Sequence, residues 1–540
     1  MIQNHINTFI RNYLIEKKID FEDWSISSNS NKEFGEFSSN LALKLAKRLK
    51  KSPIEIAQNI VKENEAVSEI FTLSASAPGF INFHISNKYY YTVLKKILQE
   101  DENFGKKRTQ RKKANVEFVS SNPTGPLTVG HGRQAILGDI IANILTWDGY
   151  TVTREYYYND AGKQMRVLAE SCYAKYAALC GVKVPFPENG YVGLYIEKIA
   201  QKILDLKGSG LKSDDKIFRD FTEKEIFTDI QNTLNRIGIK FDVFTKEGQF
   251  YRNGSIDNIL NFFKDNNLSY VKDGAVWFKT SDYGKDEDKV LVKSTGEPTY
   301  RLPDIAYHAD KVDRGFDLIV DVFGADHIDT YPDVLLGLQC LNKKTEHIKV
   351  IIHQFVTLKK AGEIVKMSTR KANFVTLDEL VDDLSPDIIR YFFIMRGANS
   401  HLDFDLDLAK DESEKNPAYY LQYAYARISN LLTRYNKELG TNKTTVNYEN
   451  LKNEDELNLL KILSDFPDRM NDIVSSLEPK RLATYLEEVA GAYHKFYGNH
   501  KVINSADINT SSERKDLCKA TQIVLKIGLS ILGISCPERM

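Results

Sequence analysis

"ANVEFVSSNPTGPLTVGHGRQAILGDIIANILTWDGYTVTREYYY", Ala114 to Tyr158, reads as strand, loop, helix and strand. "ANVEFVS" is strand-like, "RQAILGDIIANILTW" carries apolar residues at helical spacing until Gly149 stops it, and "TVTREYYY" is a second strand. Such a βαβ unit belongs to a parallel sheet. Its Gly-rich loop falls at the carboxyl end of the first strand, where these folds bind ligands. Gly125 and Gly130 have the opening spacing of a Walker A phosphate loop, but His131 and Gly132 follow, so the lysine and hydroxyl of that motif are missing. The loop is either an ordinary turn or a phosphate site built by other means. In the second case Gly130 lets a flat base lie against the backbone, and the helix start offers unpaired N–H groups and a positive dipole end. His131 would then donate hydrogen bonds as charge builds at an α-phosphate.

Outward from this unit, residues 1–110 read as a small α+β domain: an amphipathic helix, a turn at "NSNKEFGEF", a second helix "SSNLALKLAKRLKK" and strand-like "GFINFHIS". They end in the basic run "GKKRTQRKK", whose Lys106 to Lys113 make either a solvated linker or an RNA contact. Residues 114–384 form the sheet domain, with helices and short strands inserted at about 175–275 and strands resuming at "FDLIVDVFGADH" and "HIKVIIHQFVTL". From Ser385 to Met540 the pattern is almost entirely helical, interrupted by polar segments near "ELGTNKTTVNYEN" and "INSADINTSSERK". The fold class is therefore α/β, a Rossmann-like parallel-sheet domain between an N-terminal α+β domain and a C-terminal helical one.

At 540 residues the chain has room for three or four cores, and 42% hydrophobic with 27% charged residues is the composition of an ordinary soluble protein. A formal net charge of −1 means that nucleic acid, if bound, meets local patches. Five scattered cysteines without a C-x-x-C pair argue against a disulfide framework or zinc site and fit a reducing cytoplasm. The N-terminus has no secretory pattern, and no apolar run approaches the ~20 residues that span a bilayer.

A second basic element, "VKMSTRKANFVTL" at Val365 to Leu377, puts Lys366, Arg370 and Lys371 around a small Met-Ser-Thr loop, which suits a clamp on pyrophosphate; alone it would read as solvated surface. Together, "TVGH" (Thr128 to His131) and "KMSTR" (Lys366 to Arg370) resemble the H-I-G-H and K-M-S-K-S signatures of class I aminoacyl-tRNA synthetases. The wider stretches "EFVSSNPTGPLTVGHGR", "REYYYNDAGKQ", "KSTGEPTYRLPDIAYH", "VFGADH", "SPDIIR" (similar to the D-A-L-R signature), "NPAYYLQYAYARI", "LGISCPERM", "GEFSSNLALKLAK" and "PGFINFHIS" resemble the arginyl-tRNA synthetase family along essentially the whole chain.

The resemblance implies ATP-dependent activation of L-arginine to arginyl-adenylate, with Mg2+ accompanying ATP, and transfer to tRNA(Arg). It implies a monomeric cytoplasmic enzyme with a tRNA-binding N-terminal domain and an anticodon-binding C-terminal one. Thr128, His131, Lys366, Ser368 and Arg370 fall at its catalytic positions, and Gly130, His131, Gly132, Lys366, Met367 and Lys371 at its ATP contacts. Glu117 would face the guanidinium, Asn122 the amino-acid end, and Tyr300 and Asp304 would complete the pocket. Tyr423, Tyr497 and Met540 are the anticodon candidates, although tyrosines so placed also serve as core. The chemistry agrees on its own terms, because a planar guanidinium with five donors wants carboxylates that accept bidentately. Without the family, Glu117 and Asp304 would read as surface or capping groups.

Two positions depart from the signatures. Thr128 replaces the first histidine with a hydroxyl that can still donate one hydrogen bond. Thr369 replaces a lysine, leaving Lys366, Arg370 or Lys371 to neutralise pyrophosphate. A catalytically silent, synthetase-like RNA-binding protein is the rival reading. A small-molecule ligase is a third, and it leaves the helical domain unexplained.

Overall fold

Ile2, Ile6, Ile10 and Leu14 recur every four residues, so the first helix, Ile2–Glu16, buries one stripe. That stripe lies on an antiparallel sheet of β1 (Ile26–Ser28), β2 (Phe37–Ser39), β3 (Phe71–Ser76) and β4 (Phe80–Ile85), in the order β1-β2-β4-β3. Phe9 meets Phe71 and Phe83 edge to face at 5.5 and 6.1 Å. The computed structural model describes residues 2–29, 31–64, 69–107, 111–160, 162–365, 375–440 and 446–540.

The central sheet comprises β5 (Lys113–Glu117), β6 (Thr151–Tyr158), β7 (Val243–Lys246), and then, beyond a small antiparallel sheet of β8 (Ser269–Lys272), β9 (Ala275–Phe278) and β10 (Lys289–Val292), β11 (Leu318–Gly324) and β12 (Ile348–His353). Its order is β12-β11-β5-β6-β7 and every pairing is parallel. The chain steps from β5 through β6 to β7 in one direction and returns to lay β11 and β12 on the other side of β5. The order therefore reverses between β5 and β11, and the crevice at their carboxyl ends is where such a sheet binds its ligand. The expected strands at 114, 151, 318 and 348 are present. The segment 175–275 is not wholly inserted, however: it contributes β7, the edge of the main sheet. "HIKVIIHQFVTL" divides into β12 and β13 (Val356–Lys360), which pairs with β14 (Glu363–Ile364) and, parallel, with β15 (Leu402–Asp405), a strand inside the region read as helical.

Helices Pro386–Ile394, Pro417–Leu439, Glu454–Ser464, Phe466–Ser476, Pro479–Asn499 and Ile508–Leu532 build the C-terminal domain. The polar segment at 503–515 is only partly a break, because Asp507 accepts from the Thr510 amide and caps the last helix inside it. Helix Asn87–Glu100, counted with the first domain by sequence, docks on this bundle, and the Tyr91 hydroxyl donates to the Leu451 carbonyl at 2.9 Å. Lys107 pairs with Asp148 at 2.5 Å and Lys106 lies over the Trp147 ring, so this end of the basic run fastens the helix Val129–Trp147.

That helix lies against β5 because Gly138 has no side chain: a Cβ there would stand 2.2 Å from Cγ of the buried Phe118. Gly138→Ala gains about 1 kcal/mol in helix propensity, yet forces an overpacked core at a cost of about 1–3 kcal/mol. Net destabilisation in urea melts is expected, and a more stable variant would contradict this close packing.

Candidate active site

β5 ends at Glu117, and the chain then turns through left-handed backbone at Val119 (φ 67°) and Ser120 (φ 41°), a region a β-branched residue rarely enters. The turn lets the Ser120 hydroxyl donate to Glu117 Oε1 at 2.9 Å, and Ser120 Oγ accepts from the Tyr157 amide at 3.2 Å. Asn122 is held at both ends of its amide: Oδ1 accepts from the Asn159 N–H at 2.9 Å and Nδ2 donates to Gln164 at 2.7 Å.

Thr128 is the residue before the helix Val129–Trp147. Its amide donates to His131 Nδ1 at 3.1 Å, and its hydroxyl lies 3.2 Å from the same nitrogen. An Nδ1 that accepts leaves the proton on Nε2, and burial depresses the imidazole pKa, only partly opposed by Asp326. His131 is thus a neutral donor through Nε2 at a helix N-terminus. A Cβ on Gly130 would find only Thr128 Oγ1, at 3.7 Å, whereas one on Gly132 would strike Leu377 at 2.8 Å. Gly130 is open to an approaching ligand, and Gly132 is a packing glycine. Arg133, which the sequence reading passed over, is wholly buried and donates to the carbonyls of Gln354, Gly397 and Ser400 at 2.7–2.9 Å, fixing the helix start in place. At the end of β12, burial lowers the His353 pKa to about 4.

Lys366, Met367, Ser368, Arg370 and Lys371 lie outside the described residues. Their flanks are described. Val365 N–H donates to Leu358 at 2.9 Å, Thr376 bridges to Thr128, and Leu377 N–H donates to Leu127 at 2.8 Å. The C-terminal flank of the second motif therefore belongs to the site of the first.

Behind the loop, four elements bring acidic groups together. Asp304 stands on helix Arg301–Asp313, whose first turn follows Tyr300, a residue 68% exposed at the rim. Glu247, just after β7, accepts from the Tyr157 hydroxyl at 3.0 Å and from Asn159 Nδ2 at 2.9 Å. Burial pushes the Asp304 carboxyl up to about 7, with Glu247 and Glu117 adding to the rise and His308 and Lys311 opposing it. Burial likewise raises Glu247. Among the described residues neither carboxylate has an ion-pair partner. Glu117 is different, since its Oε2 is bound by the ammonium of the buried Lys311. Glu117, His308 and Asp321 form the one group among the described residues with metal-ligand proximity, their ligand atoms lying within 4.8 Å of one another. The Lys311 ammonium bonds two of the three.

In the C-terminal domain Tyr423, Tyr497 and Met540 line one cavity of about 220 Å³. Arg427, missed in the sequence, lies over both rings, 5.7 Å from Tyr423 and 4.5 Å from Tyr497.

Comparison with known proteins follows this division. Residues 1–85 match the arginyl tRNA synthetase N terminal domain, 93–387 the catalytic domain of class I (R) tRNA synthetases, and 421–540 the DALR anticodon binding domain. The arginine–tRNA ligase of Desulfotalea psychrophila is 46% identical over 516 residues, 94% of this chain and 93% of the relative. That of Salinibacter ruber is 45% identical over 543 residues, 96% of each. The chain belongs to the arginyl-tRNA synthetase family. The Thermus thermophilus arginyl-tRNA synthetase structure, 19% identical, shares the fold over the full length of both chains with a TM-score of 0.74. The family's three-part architecture is thus the architecture found here, and the chain is an aminoacyl-tRNA ligase by its catalytic domain. Among the described residues no helix is long and apolar enough to cross a membrane.

The acid pair makes the stability of the protein depend on pH. With a folded pKa of about 7 against an ordinary value near 4, Asp304 keeps a proton in the native state that unfolding releases. Its contribution to stability is full below about pH 4 and is lost as the pH rises to about 7. Without arginine, Asp304→Asn is therefore expected to be more stable than the parent at pH 8, by up to about 4 kcal/mol, with the difference shrinking toward pH 4. Urea denaturation across that range checks this, and a less stable variant at pH 8 contradicts it.

Proposed function

We propose that the chain ligates L-arginine to tRNA(Arg), and that the carboxyl groups of Asp304 and Glu247, which have no ion-pair partner among the described residues, receive the guanidinium. Two acids whose pKa values are raised by burial are suited to a permanently charged, planar group with five donors. Glu117, already paired with Lys311, borders the pocket, and Asn122 lies toward the amino-acid end. Tyr300 completes the rim.

In the first step an arginine carboxylate oxygen attacks the α-phosphorus of ATP and the bond to pyrophosphate breaks, giving arginyl-adenylate. In the second, a hydroxyl of the terminal tRNA ribose attacks the arginyl carbonyl and AMP leaves. The neutral His131 donates from Nε2 to the phosphate oxygens as charge grows, alongside the unpaired N–H groups of its helix. Gly130 leaves room for the nucleoside. Thr128 holds His131, and Lys366, Ser368, Arg370 and Lys371, with Met367, are read as the group that meets pyrophosphate. ATP enters as its magnesium complex, a substrate. Unpaired anticodon bases would stack on Tyr423 and Tyr497 beside Met540, with Arg427 supplying the charge. The same reading takes the enzyme as a monomer in the cytoplasm, a location that the scattered cysteines support. The silent alternative loses because a chain that never binds arginine gains nothing from two destabilising acids.

Incorporation of labelled arginine into total tRNA tests the reading, and a rate no greater than background would remove it. Within that assay, Asp304→Asn and Glu247→Gln are each expected to raise KM for arginine at least about a hundredfold, a loss of some 3 kcal/mol, with KM for ATP changing less than about twofold. His131→Ala is expected to lower kcat about a hundredfold while KM for arginine moves little, as for a donor acting on transition-state charge. Unchanged turnover would make the loop a mere turn.

A further inference from the structure

Far from the sheet crevice, a cavity of about 260 Å³ lies where the first domain and the helix Asn87–Glu100 meet the C-terminal bundle. One wall carries Glu36, just before β2, with Tyr89 and Tyr90; the other carries Lys461, Asp465, Arg469 and Glu488 of the bundle. Two of its three carboxylates have cations. Glu36 stands 3.8 Å from Lys461 and also accepts from the Ile85 amide at 2.8 Å, and Glu488 stands 3.5 Å from Arg469. Asp465 has neither an ion pair nor a side-chain hydrogen bond among the described residues. Burial raises its carboxyl to about 6, with Arg469 and Lys461 opposing the rise and Asp468 and Glu488 adding to it. Tyr89 and Tyr90 are only 6% and 7% exposed, and neither hydroxyl has a hydrogen-bond partner among the described residues. Burial raises both phenols and Asp465 adds to each rise, so both are neutral and both lie in the field of that carboxylate.

We propose that this cavity is a second ligand site, one that takes a small primary alkylamine in its ammonium form and clamps the first domain onto the bundle. A carboxylate without a cation and two buried phenols without partners are groups that a protein interior ordinarily satisfies. An ammonium brings three N–H donors, and the wall offers three unused acceptors, one carboxylate and two phenol oxygens. The rings add an aromatic face, which attracts an organic cation. With Asp465 ionised, three carboxylates against two cations leave one negative charge over. A divalent metal ion fits less well, because it gathers several anionic oxygens and two of the three acids here already face cations. The volume is just below the range of about 300–1,000 Å³ usual for small-molecule pockets, which suits a short aliphatic chain. Both walls contribute to the site, so occupancy stabilises the junction that they share.

The test is calorimetric titration of the full chain with 1,4-diaminobutane at pH 8. Saturable binding is expected in the parent, weakened at least about tenfold in Asp465→Asn and about threefold or more in Tyr90→Phe, as for a charged and a neutral hydrogen bond removed from a buried site. Asp304→Asn, which alters the arginine pocket alone, is expected to leave Kd within about twofold. Lowering the pH to 5 takes Asp465 below its pKa of about 6 and is expected to weaken binding roughly tenfold. Tetramethylammonium, a cation of the same charge without N–H donors, is expected not to displace the diamine. No saturable binding in the parent overturns the proposal, as does an unchanged Kd in Asp465→Asn. Loss of binding in Asp304→Asn overturns it too, by placing the amine in the catalytic pocket. Should Asp465→Asn fail to fold, Tyr90→Phe decides: weaker binding supports the site and an unchanged Kd overturns it.

Discussion

One buried guanidinium ties the two functional halves of the molecule together. Arg390, in the "SPDIIR" stretch, donates to the Leu532 carbonyl at 2.8 Å, to the Ile237 carbonyl at 3.0 Å and to Asp139 at 2.5 Å. Leu532 ends the last helix of the C-terminal domain, Ile237 follows the helix Ile217–Arg236, and Asp139 sits on the helix that starts at the TVGH loop. Asp139 also accepts from Arg154 of β6 at 3.2 Å. The final helix can end against Arg390 only because Gly533 follows in left-handed backbone, where a Cβ would stand 2.3 Å from the guanidinium. The arginine of the stretch that resembles the D-A-L-R signature is thus the lock between the C-terminal domain and the catalytic helix. Asn143, one turn beyond Asp139, donates to the Ile531 carbonyl and repeats the tie.

The catalytic crevice uses buried charge in two opposite ways. Arg390, Arg133 and Glu155 are satisfied on several sides by backbone or by partners; Glu155 alone meets Asn115, Thr245 and Arg314 at 2.6–3.0 Å. Such groups fix geometry, because removing a partner leaves a buried charge uncompensated. Asp304 and Glu247 are the reverse, acids raised by burial that have no ion-pair partner among the described residues.

Much of this was legible beforehand. Long strands with apolar residues on both faces, as in "FDLIVDVFG", announce a parallel sheet, and the Gly-rich loop fixes its binding edge. β7 escaped because "VFTK" is four residues at a sheet edge, too short to carry a period. Glu247 escaped for a related reason: "FTKEGQF" looks like any polar turn, and only the fold sets it beside Asp304, 57 positions away in the chain. Lys311 in "HADKVDRG" reads as helix surface, since charge is ordinarily solvated and only two facing acids can hold it inside. Tyr423, Tyr497 and Met540 were singled out by motif and not by pattern, and they line one cavity. Their convergence on Arg427 depends on how the bundle helices pack, which sequence period does not encode.

The hydrogen bond from Leu377 to Leu127 and the bridge between Thr128 and Thr376 close the chain on itself across some 250 residues, with Thr376 also capping the helix Leu377–Asp383 through Glu379. The catalytic lobe is thereby zipped shut at the start of the helix that follows the TVGH loop. Opening that zip frees the Thr128 side and the Thr376 side together. Amide protons on the two sides of the seam therefore share one opening equilibrium.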